Sequence, residues 1–301
     1  MIISETLSII KFITSHPLNR NNKVKAVFRF LFWQIYSRFF KKKKVFKWID
    51  NSILVAYKSE SAVTANFYTG MSEFYEMGFL MHCLRSDNIF VDIGANSGIY
   101  TVLASKVIGS KSICIEPIHS AVERIKEHVM INQVQNLVTI HNIGLGHKEH
   151  EVMFTSNHDC TNHVIPDTNE NDQYAISQKI KTLNSLLNLE DEYVLKIDTE
   201  GYEFNILKGA NKILSHGKIL AIIIEVNGSG AKYGITDNDI HTELKKYGYS
   251  PIKYDPLAKR ISNIENLNDN NFIYIKDSLR ISERVSTTSK FKIHTNRGYL
   301  I

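Results

Sequence analysis

The sequence predicts an α/β protein built on a mostly parallel sheet that is covered by helices on both faces. Three observations lead to this fold class. Strand-like runs alternate with segments of helical periodicity, most of the runs are apolar throughout, and a glycine-containing turn joins one strand directly to its helix. The length of 301 residues suits one large domain with an appendage, and 43% hydrophobic with 22% charged residues is typical of a globular chain that buries a sizeable core.

The alternation is confined to the middle of the chain. We therefore expect four parts: a basic N-terminal helical extension (1–50), a strand and helix that lead in (51–86), a Rossmann-like domain (87–276) and a C-terminal tail (277–301).

Each helix and strand is predicted from the local spacing of apolar residues and from the residues that begin or end it. In the lead-in, NSILVAYK at 51–58 reads as a strand, and 72–85 reads as a helix with Ser72 as its N-cap. Apolar runs predict further strands at 88–94, 111–117, 137–142, 152–156, 193–199, 219–226, 251–255 and 271–276. Helical spacing predicts helices at 98–108, 119–131, 182–188, 203–215 and 236–247, and residues 157–179 form a polar loop without periodicity.

Charge is unevenly distributed. Residues 1–50 hold 11 Lys/Arg and 2 Asp/Glu, a net of +9, whereas the remainder holds 25 basic and 29 acidic residues, a net of −4. A body that binds nucleic acid over its whole surface is not supported, and we expect a small-molecule or glycan acceptor and no nucleic acid.

The basic segment 26–47 mixes aromatic residues with arginines and contains four consecutive lysines. This composition suits either a helix packed on the body and followed by solvated charges, which we favour, or a peripheral contact with an anionic membrane face. Three scattered cysteines indicate a reducing compartment, and neither a signal peptide nor a spanning segment is evident. We expect a cytoplasmic protein, with contact at the inner membrane face as the alternative.

The turn FVDIGANSGIYT, at 90–101, determines which ligand is expected. It departs from the dinucleotide fingerprint G-x-G-x-x-G, since Asn96 stands at the second glycine position, and it lacks the lysine of a P-loop. Asp92 directly before the loop disfavours a phosphate and suits an amine-bearing ligand such as S-adenosylmethionine, while Gly94 and Gly98 let the backbone approach that ligand closely.

A second acid fits the same ligand. Glu116 ends the next strand, 24 positions after Asp92, where a carboxylate is placed to accept both ribose hydroxyls. The two acids together predict an adenosine-containing cofactor.

Three blocks of sequence resemble the FkbM family of S-adenosylmethionine-dependent methyltransferases. They are FVDIGANSGIYT with IEP at 115–117, HNIGLG at 141–146, and LKIDTEGYEFNILKGA at 195–210 followed by IIIEVNG at 222–228. The resemblance implies a class I methyltransferase fold, a seven-stranded sheet whose last strand is antiparallel. One departure is Asn184, where family members commonly carry an aspartate.

The resemblance also implies positions for the cofactor. The loop that contains Asp92, Gly94, Asn96 and Gly98 would hold the methionine part, Glu116 the ribose, and Asn142 would lie near the adenine. Many members are thought to O-methylate sugars or other hydroxyl compounds, so we expect a methyltransferase that acts on a sugar, glycan or glycolipid precursor.

Proton removal from such an acceptor needs a base or a metal near the methyl group. The candidates are the acids Asp198, Glu200, Glu203 and Glu225. Asp198 and Glu225 end neighbouring strands, and Asp198 is either a base or a cofactor contact, whereas Glu200 and Glu203 flank the start of a helix and can instead stabilise its N-terminus. Asp198 and Glu225 together with Asn227 form an oxygen-rich set that suits Mg²⁺. His163 in the polar loop is a second candidate base, whereas Glu203 suits a helix N-terminus better than catalysis.

Two other functions remain compatible with the residues. One is an NAD-dependent oxidoreductase or epimerase, which the altered glycine fingerprint disfavours. The other is a non-catalytic adaptor at a membrane surface, built on a methyltransferase fold.

Overall fold

The computed structural model describes residues 2–39, 43–58, 60–157, 161–166, 173–264, 267, 269–294 and 299–301, without the side chains of residues 2–5. Its helices are α1 (Ile2–Ser15), α2 (Lys23–Phe39), α3 (Ser61–Thr69), α4 (Phe74–Cys83), α5 (Ile99–Val102), α6 (His119–Ile131), α7 (Leu183–Leu186), α8 (Glu203–Lys208), α9 (Asn211–His216), α10 (Asp237–Lys246) and α11 (Ser278–Ser286). Its strands are β1 (Lys44–Lys47), β2 (Ile53–Ala56), β3 (Ile89–Ile93), β4 (Lys111–Ile115), β5 (Val138–His141), β6 (Gly144–Leu145), β7 (His150–Phe154), β8 (Ile176–Lys181), β9 (Tyr193–Ile197), β10 (Ile219–Glu225), β11 (Ser250–Asp255), β12 (Arg260–Asn263), β13 (Asn271–Ile275), β14 (Lys292–Ile293) and β15 (Tyr299–Leu300).

The central sheet has the order β12-β11-β13-β10-β9-β3-β4-β5. Its strands β5, β4, β3, β9 and β10 are parallel, and β13 runs antiparallel to both of its neighbours. The predicted α/β class and the antiparallel last strand are therefore confirmed. Strand β12 adds an eighth member at the edge through an antiparallel pairing with β11. Its sequence, RISN, is largely exposed and carries no apolar run, so periodicity could not indicate it.

A small second sheet, of order β6-β8-β7, lies over the carboxyl end of the central one. The predicted strand at 152–156 belongs to this sheet, as β7, and not to an edge of the main sheet. The predicted loop 157–179 overlaps β8, whose exposed and half-buried residues alternate and contain few apolar side chains. Residues 158–160 and 167–172 lie outside the described part of the chain.

The end of the N-terminal extension, the lead-in and the tail pack on one shared core. Trp48 and Ile49 are fully buried, and Ile49 forms a β-bridge with Ile293 of the tail. Helix α11 packs against α4. Residues 51–86 and 277–301 are thus joined to the sheet by buried apolar contacts.

The proposed N-cap at Ser72 is wrong. Helix α4 starts at Phe74 with Glu73 as its N-cap. The Ser72 hydroxyl instead accepts a hydrogen bond from the side-chain amide of Asn66, and the Ser72 backbone N–H donates to the side-chain oxygen Oδ1 of Asn66 at 3.0 Å. These bonds close the turn between α3 and α4. Helix α3 is not among the helices predicted from the sequence.

In the described part of the chain, no helix combines the length and apolar character that crossing a bilayer requires.

Candidate active site

Two cavities open where the parallel strands end. The first, which we call the Lys196 cavity, measures about 420 Å³ and lies between the loop after β3, the start of α4, and the ends of β9 and β10. The second, the Glu116 cavity, lies toward β4 and the small sheet. Gly94, Asn96, Asp198 and Glu200 line both cavities, so the two form halves of one cleft. This is the edge at which α/β sheets bind ligands.

Glycine at position 94 lets two strand ends approach. Gly94 has a φ of +76°, and a Cβ built there would lie 1.8 Å from the carbonyl oxygen of Asp198. The Asp198 backbone N–H also donates to the Ile93 carbonyl oxygen at 3.0 Å. A side chain at 94 would push β3 and β9 apart and displace Asp198, so this glycine has a geometric function.

Asp92 is buried at the end of β3 and lines the Lys196 cavity. Its Oδ2 accepts a hydrogen bond from the Thr101 hydroxyl at 2.6 Å. Burial raises the pKa of Asp92 to about 6, although the Thr101 bond and the charge of Lys196 act in the opposite direction. The hydrogen bond and the positive charge near Asp92 are therefore not enough to offset the cost of burying its charged form.

Glu116 lies in the other half, against the same loop. Its two oxygens each accept one backbone amide, from Asn96 at 2.8 Å and from Ile118 at 2.9 Å. Burial raises its pKa to about 7 despite these bonds. Each oxygen keeps a further lone pair, so the carboxylate can still accept a ligand hydroxyl.

Asn142 supports this half from behind. Its side-chain amide donates to the carbonyl oxygens of Glu116 and Pro117, both at 2.9 Å. Its neighbour Ile143 lines the Glu116 cavity, together with Ile118 and Tyr202. Asn142 therefore orients the chain just after β4. The side chains of Ile118, Ile143 and Tyr202 form the less polar part of the lining of this half.

Lys196 is the centre of an ionic cluster. It is 4% exposed and lies near the carboxyl end of β9. Its Nζ lies 2.5 Å from Asp198 Oδ2, 3.8 Å from Glu73 Oε2 and 4.7 Å from the centre of the Tyr100 ring. The Tyr100 hydroxyl donates to Glu73 at 2.5 Å. Burial works against the charged form of Lys196, but Asp198 and Glu73 more than offset it, so its pKa lies above the ordinary value.

Asp198, Glu200 and Glu225 converge beside this lysine. One carboxylate oxygen of each lies within 4.8 Å of the others. Burial, followed by repulsion from Asp198, raises the pKa of Glu200 to about 7 and that of Glu225 to about 9. The cluster is therefore short of positive charge.

The turn D-T-E-G-Y-E, at 198–203, presents two of these acids. Glu203 is buried, and its Oε1 accepts the backbone amides of Thr199 and Gly201. Glu200 adopts a φ of 55°, and a Cβ on Gly201 would meet the Ser229 carbonyl oxygen at 2.5 Å. Glu203 thus acts at the start of α8 and fixes the turn, while Glu200 faces the cleft.

The remaining predicted site residues lie apart from this cluster. Asn227 is exposed and accepts the backbone amide of Ser229, so Glu200 occupies the third position of the acidic set in its place. The His163 ring lies 3.0 Å from the Thr161 carbonyl oxygen. His163 is absent from the described lining of both cavities, although its neighbours Asn162 and Val164 line the Glu116 cavity.

Sequence reasoning missed Lys196, Glu73, Tyr100 and Ser97, which all line the Lys196 cavity. One signal was available for Lys196. A lysine inside the otherwise apolar run YVLKI is unusual, because buried lysines need a partner. Glu73, the N-cap of α4, and Tyr100 of α5 meet only in the tertiary structure, where the Tyr100 hydroxyl donates to Glu73, and no local pattern encodes this contact.

The sequence profile of the Methyltransferase FkbM domain matches residues 92–251. No curated protein sequence matches.

Solved structures give distant matches. A Streptococcus mutans protein described as a methyltransferase, crystallised with SAH, is 14% identical over 66% of this chain and 93% of its own, with a TM-score of 0.39. TYW2 of M. jannaschii, in complex with AdoMet, is 14% identical over 78% of this chain and 84% of its own, with a TM-score of 0.38. An rRNA methylase of Streptococcus thermophilus is 13% identical over 66% of this chain and 91% of its own, with a TM-score of 0.36.

The raised pKa of Glu116 predicts a pH dependence of stability. An acid whose pKa rises from 4.5 to about 7 on folding binds protons more tightly in the folded state, so its contribution is lost as pH rises through that window. We expect Glu116→Gln to gain stability relative to the unsubstituted protein between pH 4.5 and 8, by up to about 3 kcal/mol. Urea unfolding of both proteins without added ligand measures this difference. A difference that is constant with pH would contradict the assignment.

Proposed function

This chain belongs to the FkbM methyltransferase family, and we propose that it transfers the methyl group of S-adenosylmethionine to a hydroxyl oxygen of a sugar, glycan or glycolipid precursor. The observation that carries the proposal is the position of Asp198. It lies where the two halves of the cleft meet, next to a buried lysine and two further carboxylates.

The Lys196 cavity fits the amino-acid end of this cofactor. Of the described residues that line it, five are acids and one is a base. The lining also contains two buried side-chain oxygens without a hydrogen-bond partner among the described residues, Ser97 Oγ and Glu225 Oε2. A ligand with an ammonium and a sulfonium would supply the missing positive charge, and unpartnered buried polar atoms indicate a place for ligand donors and acceptors.

The Glu116 cavity fits the adenosine end. Besides Asp198 and Glu200, which it shares with the other half, it has the Glu116 carboxylate with its free lone pairs and an apolar lining of Ile118, Ile143 and Leu145. A ribose needs a hydroxyl acceptor and an adenine needs apolar surfaces, so the division between the halves matches the division within the cofactor.

When bound, S-adenosylmethionine supplies an activated methyl group, so the protein must position the acceptor and remove its proton. We assign the base to Asp198. Lys196 holds one oxygen of Asp198 at 2.5 Å and leaves the other to accept a proton from the acceptor hydroxyl. Glu225, whose raised pKa keeps it protonated near neutral pH, can donate a hydrogen bond to the same acceptor.

A divalent cation is the alternative way to activate the hydroxyl. Asp198, Glu200 and Glu225 offer the hard oxygen ligands that Mg²⁺ prefers, and an ion there would lower the pKa of a bound hydroxyl. The neighbouring Lys196 already occupies one oxygen of Asp198, which limits this set to a partial fit. We therefore favour Asp198 as a base without metal.

The reaction can be tested without knowing the acceptor. The protein is incubated with S-adenosylmethionine labelled in the methyl group and with separate glycan, glycolipid and RNA fractions. We expect label in a glycan or glycolipid as a base-stable methyl ether, because the carboxylates suit a hydroxyl and the body carries a net charge of −4. Label in RNA, or in no fraction despite cofactor binding, would contradict the proposed acceptor.

Substitution of Asp198 separates chemistry from binding. Asp198→Asn removes the base but keeps the size of the side chain, so we expect turnover to fall about 10²–10⁴-fold and cofactor affinity to change less than about tenfold. Asp87→Asn, an exposed acid before β3, is the matched control and should change neither. Equal losses in turnover and affinity would instead make Asp198 a cofactor contact.

Chelation distinguishes the two ways of activating the acceptor. With Asp198 as a metal-free base, EDTA should leave turnover unchanged. The opposite result would be a loss of turnover in EDTA that added Mg²⁺ restores in the unsubstituted protein but not in Glu200→Gln. That result would show that the acidic set binds a metal.

A further inference from the structure

Helix α2 carries apolar side chains on two opposite faces. The inner face is buried against α1 and α3 and consists of Ala26, Phe30, Trp33 and Ser37. The outer face, which we call the outer stripe, is exposed. Its members, with their exposed fractions, are Val24 (70%), Phe28 (65%), Leu31 (44%), Ile35 (58%) and Phe39 (78%).

The inner face accounts for the attachment of α2 to the protein, but the outer stripe is not needed for it. Intervals of four, three, four and four residues keep the stripe on one side of the helix. A surface helix of a globular domain needs one apolar face. A second, contiguous one marks an interaction surface.

Positive charge surrounds the outer stripe. Lys25 and Arg38 are exposed at its two ends, and Lys44 Nζ lies 5.0 Å from the centre of the Phe32 ring. The segment 1–50 has a net charge of +9 against −4 for the rest of the chain. Two copies of one basic face would repel each other in a symmetric dimer, whereas an anionic lipid surface complements both the charge and the apolar side chains.

A groove connects this helix to the cleft. About 520 Å³ in volume, it runs between α1, the inner face of α2, and α3, with Arg38 at its lining. Phe12, Ser61 and Ala65 line both this groove and the Lys196 cavity. Apolar side chains of Ile9, Phe30 and Trp33 line this groove together with the polar or charged side chains of Gln34, Arg38 and Glu60. The Lys196 cavity that the groove adjoins contains the acidic cluster. The groove therefore offers both apolar and polar contacts on the way to that cluster.

We propose that the outer stripe docks on a bilayer containing anionic lipid, and that the groove leads the polar part of a lipid-linked acceptor from that surface to Asp198. Aromatic and aliphatic side chains enter the headgroup region while Lys25 and Arg38 stay at its edge. The delivery of the acceptor rests on the proposed methyl transfer, whereas the docking does not.

Vesicle sedimentation tests the docking. The full chain should bind vesicles of equimolar phosphatidylcholine and phosphatidylglycerol and bind phosphatidylcholine alone much less. Phe28→Gln/Leu31→Gln/Ile35→Gln changes only exposed side chains, and we expect it to reduce binding at least about tenfold. The matched control, Met130→Gln/Leu279→Gln, changes side chains that are 64% and 84% exposed elsewhere and should bind as before.

Charge is tested separately. Lys25→Glu/Arg38→Glu should weaken binding to the anionic vesicles, and Lys212→Glu/Lys245→Glu, equally exposed on α9 and α10, should weaken it less. Every variant should keep the cofactor affinity of the unsubstituted protein, which shows that it is folded. Unchanged vesicle binding by the triple glutamine variant would overturn the proposal, as would its conversion of a dimer to a monomer in light scattering.

The acceptor is tested with labelled cofactor. Methyl label in the chloroform-extractable fraction of a membrane preparation supports delivery through the groove. Label confined to water-soluble glycans would overturn delivery and leave both docking and methyl transfer in place. Failure to bind S-adenosylmethionine would instead remove the proposed function, and vesicle binding would be unaffected.

Discussion

The rest of the site depends on Lys196, a buried cation that is outnumbered by the acidic side chains around it. Lys196 lies near the carboxyl end of β9 and pairs with Asp198 and Glu73, while Asp92, Glu200 and Glu225 have raised pKa values at the same cavity. Burying carboxylates without compensation costs stability, so this arrangement is unfavourable for the protein by itself. We expect a cationic ligand to offset this cost, so the imbalance favours a ligand that carries positive charge.

Much of this could be predicted from the sequence. The apolar runs predict the parallel strands. The acids at 92, 116, 198 and 225 are candidate site residues because each lies where a strand ends, which is the edge at which such sheets bind ligands. Glu200 is a candidate acid in the sequence, but Asn227 is expected in the ligand set in its place, because the position of Glu200 depends on a left-handed φ and on Glu203 closing the turn beneath it. Contacts of this kind come from tertiary structure, as do Glu73 and Tyr100, which α4 and α5 bring together.

The N-terminal segment shows the limit of composition as evidence. Its sequence suits either a helix packed on the body or one lying against a membrane, and α2 has both a buried face and an exposed apolar face. Only the position of the helix shows which aromatic side chains are buried by packing and which remain exposed. It also shows that the groove under α2 and the cleft share lining residues, so the proposed lipid-linked acceptor and the proposed surface attachment would involve the same element.

The central claim is that the excess of buried acid at the Lys196 cavity binds the cationic end of S-adenosylmethionine. Calorimetric titration of the unsubstituted protein and of Asp92→Asn tests this most directly, since Asn can keep the hydrogen bond with Thr101 while removing the charge. The account predicts one saturable site in the unsubstituted protein, clearly weaker binding in the variant, and no binding of NAD. Equal affinity in both proteins, or tight binding of NAD, would contradict it.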